Sequence, residues 1–252
     1  MNPSLVEQTL ISIQNAYGTG TSGILDDSAN WVLPQAIDLA KRMWARTEKD
    51  PRNHSEWGYD IYETDPLRFR PEDALKGVTV DVYCRLRWSR GTDVPSEQVI
   101  QVRVWSRNKN LVYRPDLDSE RVHELLKDST RKHPGRVISR FHLDRANLSP
   151  CSTNEYHPEF HLQVGGDSED YELCWHPDTF DLPRIPLYPM ELFLTCQLVA
   201  INFFPDAYDK IKKERHWKGR LRDLQQRVWL EHHKECVRTI DAGDSLLDLL
   251  RA

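Results

Sequence analysis

Residues 78–88 alternate apolar and polar side chains, and this period of two is the strongest constraint on the fold. A turn between Gly91 and Pro95 follows, and Ile100, Val102 and Val104 resume the alternation. Two such runs joined by a short turn predict a β-hairpin.

Further runs with strand-like alternation follow the hairpin. The clearest are 136–145 and 158–165, with shorter ones at 111–113 and 171–175. A helix is predicted between them at 116–129. Together these segments predict a central, mostly antiparallel sheet of about six strands.

Helical patterns lie at both ends of the chain. Near the N-terminus Ser4 and Glu7 have the spacing of a capping box, and the apolar residues that follow recur at helical spacing: Val6, Leu10, Ile13 and Tyr17. A second helix is predicted to begin near Pro34. Residues 48–70 are interpreted as a long ordered loop, and 71–77 as one helical turn.

After Pro189 the pattern is helical to the end of the sequence. The segment 189–204 is apolar around most of its circumference, except for a narrow stripe formed by Glu191, Thr195 and Asn202. A long helix over 206–240 and a short one over 244–251 complete the prediction.

These elements predict one α+β domain over residues 1–252. It comprises an N-terminal helical part (1–47), a sheet with one inserted helix (77–176) and a C-terminal helical part (187–252).

Charge and cysteine usage narrow the class of protein. The net charge of −5 disfavours a general attraction to nucleic acid or to an anionic membrane. Five widely spaced cysteines favour a reducing compartment, and the N-terminus lacks a secretory pattern. The longest apolar run, 190–204, contains polar residues and is too short to span a bilayer. We therefore expect a cytoplasmic protein without a membrane segment.

The main candidate site is the polar side of two predicted strands. It combines Arg140, His142 and Asp144 on one strand with His161 and Gln163 on the other. Histidine titrates near neutral pH, a carboxylate can orient it, and arginine can bind an anion bidentately. His142, His161 and Asp144 are therefore catalytic candidates, and Arg140 and Gln163 are ligand-binding candidates. The alternatives are an ordinary solvent-facing sheet, or a face covered by the stripe of the 189–204 helix.

Other reactive residues are less specific. The cysteines and histidines between 151 and 176 have no zinc-site spacing, so neither a metal nor another cofactor is predicted. Cys151 lies in a loop, and no nucleophile signature surrounds it. Cys84 and Cys196 fall on apolar stripes and are expected in the core.

A basic stretch over 210–222 includes Lys213, Lys218 and Arg222. With Arg103, Arg107 and Lys109 it can contact phosphates of a nucleic acid. The alternative is the solvated face of an amphipathic helix.

Three segments together resemble a known family. They are His157–Gly165 (HPEFHLQVG), Pro183–Pro186 (PRIP), and Pro189 with the helix that ends at Asn202–Phe204. Over about residues 136–210 this order resembles an uncharacterised bacterial domain family of unknown function. Its pattern is an H-P-x-x-H-L-x-x-G strand, an R-I-P turn and a helix ending in N-F-aromatic. Gln163 replaces a threonine of that pattern, and 167–182 is an insertion.

The resemblance implies a bacterial accessory protein, of a kind encoded near defence or mobile-element genes. It also draws attention to Arg184, which precedes a helix start that favours anions. No recognisable nucleophile–base pair is present, which favours a binding or regulatory component over an enzyme. Its partners would be other proteins of the same operon or an anionic ligand. The rival hypotheses are a hydrolase or nuclease acting on phosphodiesters, and a nucleic-acid-binding protein.

Overall fold

A seven-stranded antiparallel sheet carries helices on one of its faces, which confirms the α+β prediction. The computed structural model describes residues 1–18, 23–52, 55–70, 78–106, 136–145, 159–164 and 185–241. The predictions at 71–77, 111–113, 116–129, 171–175 and 244–251 lie outside these residues.

The strands follow one another across the sheet nearly in chain order. They are β1 Glu56–Ile61, β2 Leu67–Phe69, β3 Val78–Ser89, β4 Glu97–Ser106, β5 Arg136–Arg145, β6 Phe160–Val164 and β7 Ile185–Pro186. The sheet order is β1-β3-β4-β5-β6-β7. Strand β2 also pairs with β3, alongside its N-terminal half, while β1 pairs with the C-terminal half.

The predicted β3–β4 hairpin is confirmed. Val80 lies opposite Val104, and Cys84 lies opposite Ile100. In the turn Gly91 adopts a φ of 83°, a conformation that glycine reaches without steric cost. The register puts the apolar residues of both strands on the same face of the sheet.

The prediction of a loop over 48–70 is wrong, because β1 and β2 lie within it. Trp57, Tyr59 and Ile61 of β1 are buried on the core face. Gly58 and Asp60 alternate with them and pair with Arg87 and Arg85 of β3. The period of two was present, but it spans only five residues and includes a glycine.

Two helices precede the sheet: α1 Pro3–Tyr17 and α2 Ala29–Lys49. The cap of α1 is Asn2 rather than Ser4, since the Asn2 side chain accepts a 2.9 Å hydrogen bond from the backbone N–H of Leu5. Helix α2 begins five residues before Pro34, which lies inside it. The expected apolar face of α1 is buried as predicted.

The C-terminal region forms α3 Leu192–Phe203, α4 Pro205–Ile211, α5 Arg215–Leu224, a π-helical segment Gln225–Leu230, and α6 Glu231–Asp241. The single long helix expected over 206–240 is therefore interrupted between α4 and α5. None of the helices in the described part of the chain is long and apolar enough to span a membrane.

The core lies between the helices and the apolar face of the sheet. Helix α3 packs on this face, where Phe204 at its end stacks on Phe69 of β2 and Phe203 contacts Phe141 of β5. Helices α1 and α5 close the same layer. In the described strands, the opposite face of the sheet carries mostly polar side chains.

Candidate functional site

The structure brings the five predicted site residues together on the side of the sheet opposite the helices. Arg140, His142 and Asp144 alternate along β5 with the core residues Phe141 and Leu143. On β6, Gln163 lies opposite His142, and His161 lies opposite Asp144. We call the following set the polar face: Asp81, Tyr83, Gln101, Arg103, Arg140, His142, Asp144, His161 and Gln163.

Asp144 and His142 lie close together at one end of the polar face. The Nδ1 atom of His142 lies 3.8 Å from Oδ2 of Asp144, which is ion-pair distance when the ring is protonated. The Oδ1 atom of Asp144 is buried and accepts no hydrogen bond from the described residues. Burial raises the pKa of Asp144 to about 6, although the backbone N–H of Ile100 opposes the shift. This carboxyl group therefore changes its charge close to neutral pH.

Two arginines face each other at the middle of the polar face. Arg103 of β4 is directly opposite Arg140 of β5, and only 3% and 8% of their surfaces are exposed. Like charges in directly opposite positions destabilise a sheet unless negative groups compensate them. The pairing places two buried arginines in opposite positions, and Glu63 compensates the charge of Arg103.

A hydrogen-bonded chain fixes the position of Arg103. Its Nη2 atom donates to Oε1 of Glu63 at 2.8 Å and to the hydroxyl of Tyr83 at 2.9 Å. The Tyr83 hydroxyl in turn donates to Oε1 of Gln101. The guanidinium also lies over the Tyr83 ring, 5.2 Å from its centroid. Glu63 and Tyr83 therefore hold the Arg103 side chain in place.

A second network closes the end of the polar face beside β2. Asp81 accepts hydrogen bonds of 2.8 and 3.1 Å from Arg68, and one of 3.0 Å from the indole N–H of Trp105. These bonds satisfy the buried Asp81 carboxylate from two directions. This end of the face is structural, whereas the His142 end keeps a partly exposed surface.

The stripe Glu191, Thr195 and Asn202 does not cover the polar face, so that alternative is wrong. Glu191 caps α3 within the core, where its Oε1 atom accepts a 2.7 Å hydrogen bond from the Leu194 N–H. The Thr195 hydroxyl donates to the Glu191 carbonyl, and the Asn202 amide donates to the Leu198 carbonyl. The prediction that α3 lies in the core is confirmed, but the helix packs on the apolar face of the sheet, opposite the polar face.

The structure also bears on the cysteines, on Arg184 and on possible metal ligands. Cys84 and Cys196 are buried free thiols in the core, as predicted. Burial raises the pKa of the Cys196 thiol well above its usual value, so it is not an activated nucleophile. Arg184 and the 151–158 and 170–176 segments lie outside the described residues. Among the residues that are described, no group of His, Cys, Asp and Glu is arranged to hold a metal ion.

The basic stretch is located on α4, α5 and the turn between them, with Lys213, Lys218 and Arg222 exposed. Arg103 does not join it, because this residue is buried in the polar face. The expected joint surface of Arg103 with the 210–222 region is therefore wrong. Arg107 and Lys109 lie outside the described residues.

Sequence reasoning missed part of the polar face. Asp81 and Tyr83 are polar positions of the predicted strand 78–88, Gln101 lies in the predicted strand that contains Ile100 and Val102, and Glu63 falls in the predicted loop 48–70. The available signal was the alternation of β3, which required Asp81 and Tyr83 to share the face opposite the core.

Comparisons with protein-family models, with curated proteins and with solved structures give no match.

Proposed function

We propose that this chain is a binding or regulatory component of a multiprotein system, and that its polar face holds an anionic group of a partner protein or ligand. The observation that carries the proposal is the directly opposed, buried pair Arg103 and Arg140. A carboxylate or phosphate bound beside these two side chains gains charge-assisted hydrogen bonds from guanidinium groups.

The neighbouring residues suit this role. His142 and Asp144 keep 15% and 24% of their side-chain surfaces exposed, so solvent reaches this part of the polar face. His142 and the Gln163 opposite it supply polar groups for orienting the bound anion. Since the Asp144 pKa is raised to about 6, lower pH removes a competing negative charge and favours anion binding.

The biological setting is proposed from the family resemblance. A bacterial accessory protein, encoded near defence or mobile-element genes, would act in the cytoplasm with other products of its operon. Such a protein needs a recognition surface but no reaction of its own, in agreement with the absence of a recognisable nucleophile motif.

The experiment replaces Arg140 with glutamine and, separately, His142 and His161 with alanine. Affinity is measured by calorimetry with inorganic phosphate and acetate, and by co-purification with the products of adjacent genes. Arg85→Gln is the matched control, because Arg85 is an exposed arginine on the same side of the sheet. We expect Arg140→Gln to weaken anion binding roughly tenfold. Unchanged binding of both anions and of the partners, with the fold intact, would overturn the proposal.

A second candidate is a hydrolase or nuclease acting on phosphodiesters, favoured by the position of Asp144 between His142 and His161. A histidine oriented by a carboxylate can act as general base, and a nearby arginine can stabilise negative charge in the transition state. Hydrolysis of bis(p-nitrophenyl) phosphate that is lost in both His142→Ala and His161→Ala would establish it. Binding without hydrolysis would leave the first proposal as the function.

A further inference from the structure

Most of the cations of α4, α5 and their connecting turn form no ion pair within the described residues. They are exposed side chains: Lys210, Lys213, Arg215, Lys218 and Arg222. Their neighbours behave differently, since Lys212 pairs with Asp209 at 2.5 Å, and Arg220 binds both Asp223 and Gln8. Within the described residues, the region therefore contains both cations that are bound to other side chains and cations that are not.

Three of the unpaired cations form a line on α5. Arg215, Lys218 and Arg222 are spaced three and four residues apart, which places them on one side of the helix. The opposite side packs into the core through Trp217 and Leu224. We call the three residues the basic stripe. At 1.5 Å per residue the stripe is about 10 Å long, the length of about three phosphates along one strand of duplex DNA.

Gly219 lies within the basic stripe, on the exposed side of α5. A Cβ atom at this position would have no heavy atom within 4 Å, so core packing does not require glycine there. Glycine inside a helix costs roughly 0.5–1 kcal/mol relative to alanine. The missing side chain leaves the helix backbone open to close approach by a partner.

The local charge opposes that of the whole chain. Residues 205–222 contain seven Lys and Arg against three Asp and Glu, whereas the complete chain has a net charge of −5. A local excess of positive charge on an acidic protein directs a polyanion to one surface and repels it elsewhere.

We infer that the basic stripe, with Lys213, binds the phosphate backbone of duplex nucleic acid without reading its sequence. A single strand is disfavoured because the aromatic residues of this region do not form a stacking platform. Trp217 is buried, and Tyr208 packs edge-on against it at 5.7 Å between ring centroids. An anionic membrane is disfavoured because the apolar side of α5 is already in the core, where it cannot enter lipid.

This surface is separate from the polar face, so the inference does not depend on the proposed function. The basic stripe lies on the helical layer, and the arginines and histidines of the polar face lie on the other side of the sheet. A failure of one binding activity leaves the other unaffected.

The test is fluorescence anisotropy of a labelled DNA duplex, titrated with the full chain at several salt concentrations. The triple variant Lys213→Glu, Lys218→Glu and Arg222→Glu reverses three exposed charges. If each cation contacts one phosphate, the slope of log K against log salt flattens by about 3 in this variant. Wild-type affinity from these three contacts would fall roughly 40-fold between about 50 and about 200 mM salt.

The matched control is the triple variant Arg42→Glu, Arg46→Glu and Lys49→Glu, which reverses three exposed charges on α2. It should retain the wild-type slope. Equal losses in both triple variants, or wild-type binding by the α5 variant, would overturn the inference. Preferential binding to vesicles of phosphatidylcholine with phosphatidylserine would also overturn it.

Gly219→Leu tests the close approach without any change in charge. We expect weaker duplex binding in this variant while the cooperative unfolding transition is preserved. Wild-type affinity would overturn the role of the open helix backbone.

Discussion

The indole N–H of Trp217 donates a 2.9 Å hydrogen bond to the hydroxyl of Tyr17, across a separation of 200 residues. Both side chains are buried, and Phe193 of α3 contacts both rings. This bond fixes α5 against α1, so it sets the position of the helix that carries the basic stripe.

Tyr17→Phe should lower the free energy of unfolding by about 1–3 kcal/mol, because the buried indole N–H of Trp217 loses its acceptor. Urea denaturation followed by tryptophan fluorescence measures the change. Tyr208→Phe is the control, since that ring packs on Trp217 without a hydrogen bond to the indole. Equal, small effects in both variants would contradict the prediction.

Glu191→Gln should change how stability depends on pH. Burial raises the pKa of Glu191 from its ordinary 4.5 to about 7, since only 2% of the residue is exposed. The native state therefore binds an extra proton between these values. The associated stability is complete below pH 4.5 and is lost as the pH rises through 7.

Relative to Glu191→Gln, the wild-type chain should lose roughly 3 kcal/mol of unfolding free energy over this range. The glutamine side-chain oxygen can still accept the hydrogen bond from the Leu194 N–H. Urea titrations of both proteins at several pH values measure the difference. Parallel pH profiles would show that Glu191 is not the group responsible.

Gly219→Ala should stabilise the fold by roughly 0.5–1 kcal/mol, because alanine is the better helix former and its methyl group meets no neighbouring atom. Chemical denaturation checks the sign. A loss of stability would contradict the prediction, because it would mean that residue 219 needs a backbone conformation that alanine disfavours.

Gly58→Ala should have the opposite effect. A Cβ atom on β1 at this position would lie 1.9 Å from the carbonyl oxygen of Leu86 on β3. Strand β1 would have to move away from β3, so we expect several kcal/mol of destabilisation or failure to fold. Expression and the thermal midpoint, compared with those of Gly219→Ala, give the test, and a wild-type midpoint would contradict it.

The alternation of apolar and polar residues predicted the strands and the face of the sheet on which each side chain lies. The run around His142 predicted both the bounds of β5 and which residues face the core, because side-chain direction in a strand follows from position alone. The same reasoning correctly grouped His161 and Gln163 with the β5 residues.

The alternation of side chains does not predict how neighbouring strands align, or on which face of the sheet a helix packs. The opposition of Arg103 and Arg140 requires knowledge of how β4 aligns with β5, including the register shift after Val104. Likewise, α3 is apolar on almost all sides, so no single apolar face of this helix indicates on which side of the sheet, relative to His142, it packs.

The sheet order implies an order of events during synthesis on the ribosome. Strands β1 to β4 need only near neighbours in the chain to pair, so this part of the sheet can assemble as it emerges. Helix α1 is different, because Tyr17 meets its partners on α3 and α5 only after the last third of the chain appears. Until α3 and α5 have been synthesised, the buried side of α1 around Tyr17 lacks the cover that these two helices provide, so apolar surface stays exposed during this interval.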